Sequence, residues 1–451
     1  MTAPRAAAPA TLDEAIDAAP FSPLVIGALI AAAMVMIIDG FDLQAMPMTV
    51  PHVAEALSIA PAAFGPTLSA VLVGMGAGAI LIAPIGDRRG RRPMILCGLA
   101  AIGLSTLATA TAHSLTMFLL WRLLTGLALG ACLPNVTSIV AELSPRRRRA
   151  GMLTITACGA SVGGASAGFL IPVLIGWGGW PAPFIVSGVF TLALTLLLAL
   201  TLPESPKYYA AQRPGSPAYV KLAGRMGLGD PALFAPPPPT PARASMLAPL
   251  ARPYWLATGV FVGLYTINAL GLYMLSSWLP TLLPEAGFTL AEAARMAGVV
   301  QAGGLFGGIL ISLFLDRGKA VVGLAGAYAV VLAMLVGFSF VAPSPVVWGT
   351  MLLIVGSGIA GAHLALMAVG TSFYPAAILS SAIGFAVAVA RLGAVAGPML
   401  GAWLVERHAS PQTFFMVLAV PVLLCGLGAL LIPVVQRGRA AQTGQAEYGK
   451  E

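Results

Sequence analysis

The chain has 451 residues, 58% hydrophobic and 9% charged, whereas soluble domains carry charge at about 25% of positions. That balance excludes a cytosolic enzyme, a secreted scaffold and a nucleic-acid-binding domain, and predicts an integral membrane protein with room for about twelve spans of roughly 20 residues. The excess of 24 Lys and Arg over 16 Asp and Glu then reports orientation in a bilayer, not a nucleic-acid partner.

Residues 1–20 contain Asp13, Glu14 and Asp17 and lack the basic start and apolar run of a cleaved signal, so they read as a cytoplasmic tail. Six apolar runs follow within residues 21–202, near 24–48, 64–85, 95–112, 116–140, 151–175 and 183–202. Residues 203–253 are polar and proline-rich, including Pro236 to Pro239, which suits an exposed, partly disordered cytoplasmic linker. Six more runs occupy residues 254–435, near 254–277, 296–315, 321–341, 347–372, 381–404 and 413–435, and residues 436–451 form a second cytoplasmic tail. The expected class is an all-α membrane protein with twelve transmembrane helices in two pseudo-symmetric six-helix halves.

Positive residues test this layout, because cytoplasmic loops hold the Lys and Arg excess. With both ends inside, 20 of the 24 basic residues fall on the cytoplasmic side, including Arg5, Arg88, Arg89, Arg91, Arg92, Arg146 to Arg149, Arg243, Arg437, Arg439 and Lys450. Arg295 and Arg407 fall outside, which leaves Arg122 and Arg391 within spans. The expected location is the bacterial inner membrane.

A shift of 229 residues carries Gly74 onto Gly303, Gly78 onto Gly307, Asp87 onto Asp316 and Arg88 onto Arg317. Each copy reads as one helix with a close-packing glycine face, then a charged cytoplasmic turn. Two parallel six-helix units around a midplane cavity form a transporter architecture.

A charge in hydrocarbon costs at least about 2.5–3.5 kcal/mol, so charges within spans are functional candidates. The first span contains Asp39-Gly40-Phe41-Asp42, with both carboxylates on neighbouring parts of one face, expected toward the cavity. Arg122, in the fourth span, comes to nearly the same depth and can pair with them. A carboxylate beside an arginine stays ionised, whereas one in apolar surroundings can hold a proton, so Asp39, Asp42 and Arg122 make a proton-coupling device; the alternative is a static ion pair that locks two helices.

Arg391, near the middle of the eleventh span, is the choice for an anionic substrate because a guanidinium grips a carboxylate bidentately; its alternative is a structural partner for a carbonyl or an acid. His363, in the tenth span, reaches similar depth and either contacts substrate or bridges two helices. On the seventh span, Tyr265 and Asn268 are candidate cavity residues, as is Gln301 on the eighth; Tyr273 offers a further aromatic surface, and Trp278 reads as an interfacial anchor. Two acids and two arginines sum to zero, so a bound monocarboxylate calls for one proton. Asp87, Arg88, Arg91, Glu142, Arg146, Asp316 and Arg317 form a candidate cytoplasmic gate. Neither a metal-ligand spacing nor a P-loop is visible, so no cofactor is expected and the proton gradient supplies the driving force.

The chain resembles the major facilitator superfamily over roughly residues 20–435. Asp87-Arg88-Arg89-Gly90-Arg91-Arg92 looks like its signature between the second and third helices, and Arg122 through Gly130 like its fourth-helix signature. Asp39-Gly40-Phe41-Asp42 is similar to the first-helix motif of the aromatic acid:proton symporter branch. Pro203-Glu204-Ser205-Pro206, Trp278-Leu279-Pro280-Thr281 and Arg391-Leu392-Gly393 add weaker similarities, while Ala83 and Leu379 depart from the family pattern. The resemblance implies uptake of benzoate or hydroxybenzoates with protons, the first-helix acids and the fourth-helix arginine taking part. Another organic-anion or drug carrier of the same superfamily is the alternative. The expected partners are a small aromatic carboxylate, protons and lipid, with the protein a monomer.

Overall fold

The structure, a computed structural model, describes residues 11–234, 245, 247–252 and 254–436. The proline run Pro236 to Pro239, the end of the C-terminal tail, and Arg5, Arg243, Arg437, Arg439 and Lys450 lie outside the described residues.

Helices dominate because a backbone in hydrocarbon must satisfy its own hydrogen bonds. The N-terminal tail carries α1 (Leu12–Ala18), and the first half holds α2 (Pro23–Leu57), α3 (Gly65–Leu81), α4 (Ile85–Arg89), α5 (Arg91–Thr109), α6 (Leu115–Leu143), α7 (Arg146–Gly178) and α8 (Ala182–Thr201). Residues after 203 carry α9 (Pro206–Gln212) and α10 (Pro217–Met226), and the second half holds α11 (Trp255–Leu282), α12 (Leu290–Asp316), α13 (Ala320–Gly337), α14 (Pro345–Ser372), α15 (Ala376–Glu406) and α16 (Pro411–Ala429). Among the described residues, twelve helices are long and apolar enough to cross a membrane: α2, α3, α5 to α8 and α11 to α16. Side-chain caps set several ends: Ser22 accepts from the Val25 amide, Ser114 from Met117, and Thr289 forms a capping box with Glu292.

The repeated glycines build equivalent seams. A side chain at Gly74 or Gly78 would run into the α6 backbone at Leu123 or Leu127, and one at Gly303 or Gly307 into the α14 backbone at Leu353 or Ser357. Thus α3 packs on α6 as α12 packs on α14, helix backbones in near contact. Between the halves the pattern crosses over. Ser69 of α3 donates to the Val395 carbonyl of α15 (2.8 Å), and Gly168 of α7 lies on Ala294 and Gly298 of α12. The second span of each half therefore meets the fifth of the other, at the end away from the basic turns.

The beginning of the linker is more ordered than its composition predicts. Ser205 and Ser216 cap α9 and α10, whose buried Tyr208, Tyr219, Leu222 and Met226 pack at the basic end of the first half. Large apolar side chains such as Leu196, Leu197, Leu200 and Trp177 cover the outside of the bundle, the surface a bilayer solvates.

Candidate functional site

A cavity of about 290 Å³ lies between the halves. The first half lines it with Asp39, Gln44, Met75, Arg122 and Ser161, and the second with Tyr273, Ser276, Ser277, Gln301, His363 and Arg391.

The two first-span acids part company. Arg122 Nη1 is 2.9 Å from Asp42 Oδ2 and 3.1 Å from Oδ1, its Nη2 donates to the Asp42 carbonyl at 3.1 Å, and Thr106 of α5 donates to Oδ1 at 3.2 Å. Both charged side chains are almost fully enclosed. Asp39 instead lines the cavity, with one carboxylate oxygen enclosed and without a hydrogen-bond partner among the described residues. Two residues three apart differ by about 60° around a helix, enough to turn one acid between α5 and α6 and leave the other at the cavity. The expectation that both acids face the cavity is corrected on this point. Gly40 fixes the rotation, because a side chain there would overlap the Ala160 backbone of α7.

Arg391 faces this acid from the other half. Its charge reaches Asp39, the Tyr273 phenol lies against its guanidinium, and Met75 Sδ is 3.9 Å from Nη1. Among the described residues no carboxylate lies within 4.0 Å of Arg391. A guanidinium with no carboxylate in pairing distance, in a chamber where apolar walls meet a few polar side chains, is a ready anion site.

His363 and Gln301 line the cavity as expected, Gln301 resting on Gly164 of α7. Tyr265 and Asn268 do not. Both are buried behind His363, Tyr265 stacked on the imidazole at 4.4 Å and Asn268 hydrogen-bonded to it at 3.1 Å. Trp278 is corrected as well: it is fully buried and donates to the Pro398 carbonyl at 2.8 Å, so it braces α11 against α15 inside the protein. Sequence reasoning missed Gln44, Ser276 and Ser277; a glutamine two residues beyond Asp42 in an apolar span was a usable signal.

At the basic end, Arg91 pairs with Asp87 (2.9 Å) and Glu142 (3.1 Å) and donates to the Gly86 carbonyl. Glu204 accepts from the Arg91 and Arg92 amides, and Ser205 donates to Glu142. Burial pushes the Glu204 carboxyl above the ordinary carboxylate range, against the pull of the amides it binds. These bonds tie α4, α5 and α6 to the linker on the first-half side. Arg146 binds Asp13 of α1 instead (2.7 Å), Arg88 is exposed, and Asp316 and Arg317 are exposed with no ion pair among the described residues.

The Major Facilitator Superfamily model matches residues 25–389. The chain belongs to the major facilitator superfamily. A gallate transporter of Pseudomonas putida is 32% identical over 439 residues, covering 95% of this chain and 96% of that protein. The 4-hydroxybenzoate transporter PcaK of Pseudomonas aeruginosa is 29% identical over 432 residues, covering 94% and 96%. The crystal structure of a D-xylose-proton symporter superposes with a TM-score of 0.67 at 17% identity, over 90% of this chain and 97% of that one, which shows the shared fold. This major facilitator protein is thus a multi-pass membrane transporter, and its resemblance to aromatic acid transporters runs nearly end to end.

Proposed function

We propose that the protein is a proton-coupled symporter that imports an aromatic monocarboxylate of the benzoate or hydroxybenzoate type by alternating access. The observation that carries this reading is the Arg391 guanidinium, with no carboxylate within 4.0 Å among the described residues, set opposite Asp39 in a chamber lined from both halves. The gallate and 4-hydroxybenzoate transporters at 32% and 29% identity support the substrate class.

Charge balance gives the mechanism. Arg122 and Asp42 neutralise each other, which leaves Asp39 and Arg391 as the opposed charges of the cavity. A carboxylate bound to Arg391 removes the counter-charge of Asp39. Asp39 then takes a proton, and acid and proton cross together as one neutral load. Rocking of the halves on the seams of α3 with α15 and α7 with α12 exposes the load to either side. Because basic loops face the cytoplasm, both termini lie there, in a bacterial inner membrane. The contacts of Ser69 and Gly168 seal the outer end, as in an inward-facing state. The monomer supplies every residue of the site.

Uptake of radiolabelled benzoate and 4-hydroxybenzoate into proteoliposomes, with and without an inward acid gradient, tests this. Wild type follows the gradient, and Asp39→Asn loses that dependence. Wild-type protein that moves neither acid, or ignores the gradient, sinks the symporter reading and favours another organic anion or a drug as cargo.

A further inference from the structure

The cavity wall around His363 can be read atom by atom. The Ile359 carbonyl only accepts hydrogen bonds, so the Asn268 atom 3.2 Å from it is the amide nitrogen Nδ2. That same nitrogen lies 3.1 Å from His363 Nδ1, while Asn268 Oδ1 accepts from the Tyr328 hydroxyl at 2.9 Å. An amide nitrogen brings only protons, so Nδ1 must present its lone pair and the ring proton must sit on Nε2. An imidazolium would set one N–H against another. Tyr265, stacked at 4.4 Å and within 13° of parallel, fixes the ring plane.

Three of these four side chains never reach the cavity. Tyr265, Asn268 and Tyr328 are buried, whereas His363 lines the chamber with Arg391 and Tyr273. Among the described residues Nε2 has no protein partner, and it is absent from the enclosed unpaired atoms, which leaves it open to the chamber. The chamber is therefore supplied with a neutral donor of fixed direction, separate from the charged Arg391.

We infer that Asn268 is a positioning residue that holds His363 as an Nε2–H donor, and that this donor selects aromatic acids whose ring carries a hydrogen-bond acceptor. The inference rests on the proposed transport of aromatic carboxylates and deepens it. Arg391 takes the carboxylate, common to all candidate substrates, and His363 reads the ring substituent. An acceptor such as a phenol or ether oxygen meets the Nε2–H, while an unsubstituted ring leaves that donor unsatisfied.

Competition against radiolabelled uptake, using benzoate, 4-hydroxybenzoate and 4-methoxybenzoate, tests selection in proteoliposomes. Wild type is expected to bind the two substituted acids about tenfold more tightly than benzoate. His363→Phe keeps a ring against Tyr265 and erases the difference, raising the KM for the substituted acids about tenfold more than that for benzoate. Loss of benzoate in equal measure would assign His363 to the carboxylate and overturn the inference. Histidine-labelled ¹⁵N NMR of the full chain, with the His363→Phe spectrum identifying the signal among four histidines, reads the tautomer directly. The expected result is a protonated Nε2 in wild type and a mixture of tautomers in Asn268→Leu; a protonated Nδ1 in wild type overturns the assignment without reference to any variant. Tyr328→Phe, which removes one hydroxyl, gives a milder shift in the same direction if Asn268→Leu does not fold. Wild type that carries none of the three acids defeats the transport reading, and selection of ring acceptors falls with it, while the NMR still decides the tautomer.

Discussion

Arg122 holds Asp42 through both carboxylate oxygens and the Asp42 carbonyl, and leaves Asp39 to the cavity. Two acids three residues apart on one helix thereby acquire different work. Removing one member of a buried pair strands the other at a cost of about 3–5 kcal/mol. Asp42→Asn and Arg122→Ala are therefore expected to lower the melting temperature in detergent, while Asp39→Asn melts near wild type. Equal destabilisation by all three would show that Asp39 is also a structural partner.

Among the described residues no carboxylate lies within 4.0 Å of Arg391, so its loss is expected to fall on substrate. A hydrogen bond to a charged group contributes about 1.5–3 kcal/mol, which corresponds to a KM about 10- to 100-fold higher for Arg391→Ala in initial-rate uptake. Arg391→Lys recovers part of this, since an ammonium keeps the charge and loses the two-pronged geometry. An unchanged KM in both variants would remove Arg391 from the binding site.

The glycine seams carry a matched pair of tests. A methyl group at Gly74 meets the Leu123 carbonyl region, and one at Gly307 meets the Ser357 backbone, whereas one at Gly76 comes only within 3.8 Å of Arg391 Cγ. Gly74→Ala and Gly307→Ala should each cost about 1–3 kcal/mol through overpacking. Gly76→Ala should be neutral by thermal denaturation, and a similar cost at all three positions would count against backbone contact as the cause.

Asp13 joins α1 to the basic end through Lys207 (2.6 Å) and Arg146 (2.7 Å). Burial raises its carboxyl, but the Lys207 and Arg146 pairs together outweigh this and hold it below the ordinary value of 3.8. A depressed acid stabilises the docked state fully above its free value and loses that contribution as pH falls through the docked value. Hydrogen exchange of residues 12–18, taken relative to the intrinsic rate of unprotected amides at each pH, should therefore stay equally slow from pH 5 to pH 8 and accelerate below about 3.8. Asp13→Asn should reproduce the acceleration at neutral pH, and added salt should weaken the exposed Arg146 pair. Slow exchange in Asp13→Asn would assign docking to the buried Ile16 alone.

Much of this was legible in the sequence because the bilayer permits so little. Apolar runs long enough to span must be helices, basic residues must gather at their cytoplasmic ends, and the few charges inside, Asp39, Asp42, Arg122 and Arg391, stand out by their cost. The 229-residue repeat that links Gly74 with Gly303 and Gly78 with Gly307 marked the helices that pack most closely. Tertiary structure alone decided which acid Arg122 takes, that Tyr265 and Asn268 stand behind His363, that Trp278 is an internal brace, and that Arg91 meets Glu142 beside a linker serine. Periodicity and span length give a residue's height along its own axis. The rotation of that axis toward its neighbours is set by backbone contact at Gly40, Gly74 and Gly307, and an error of some 60° is enough to exchange a cavity residue for a buried partner.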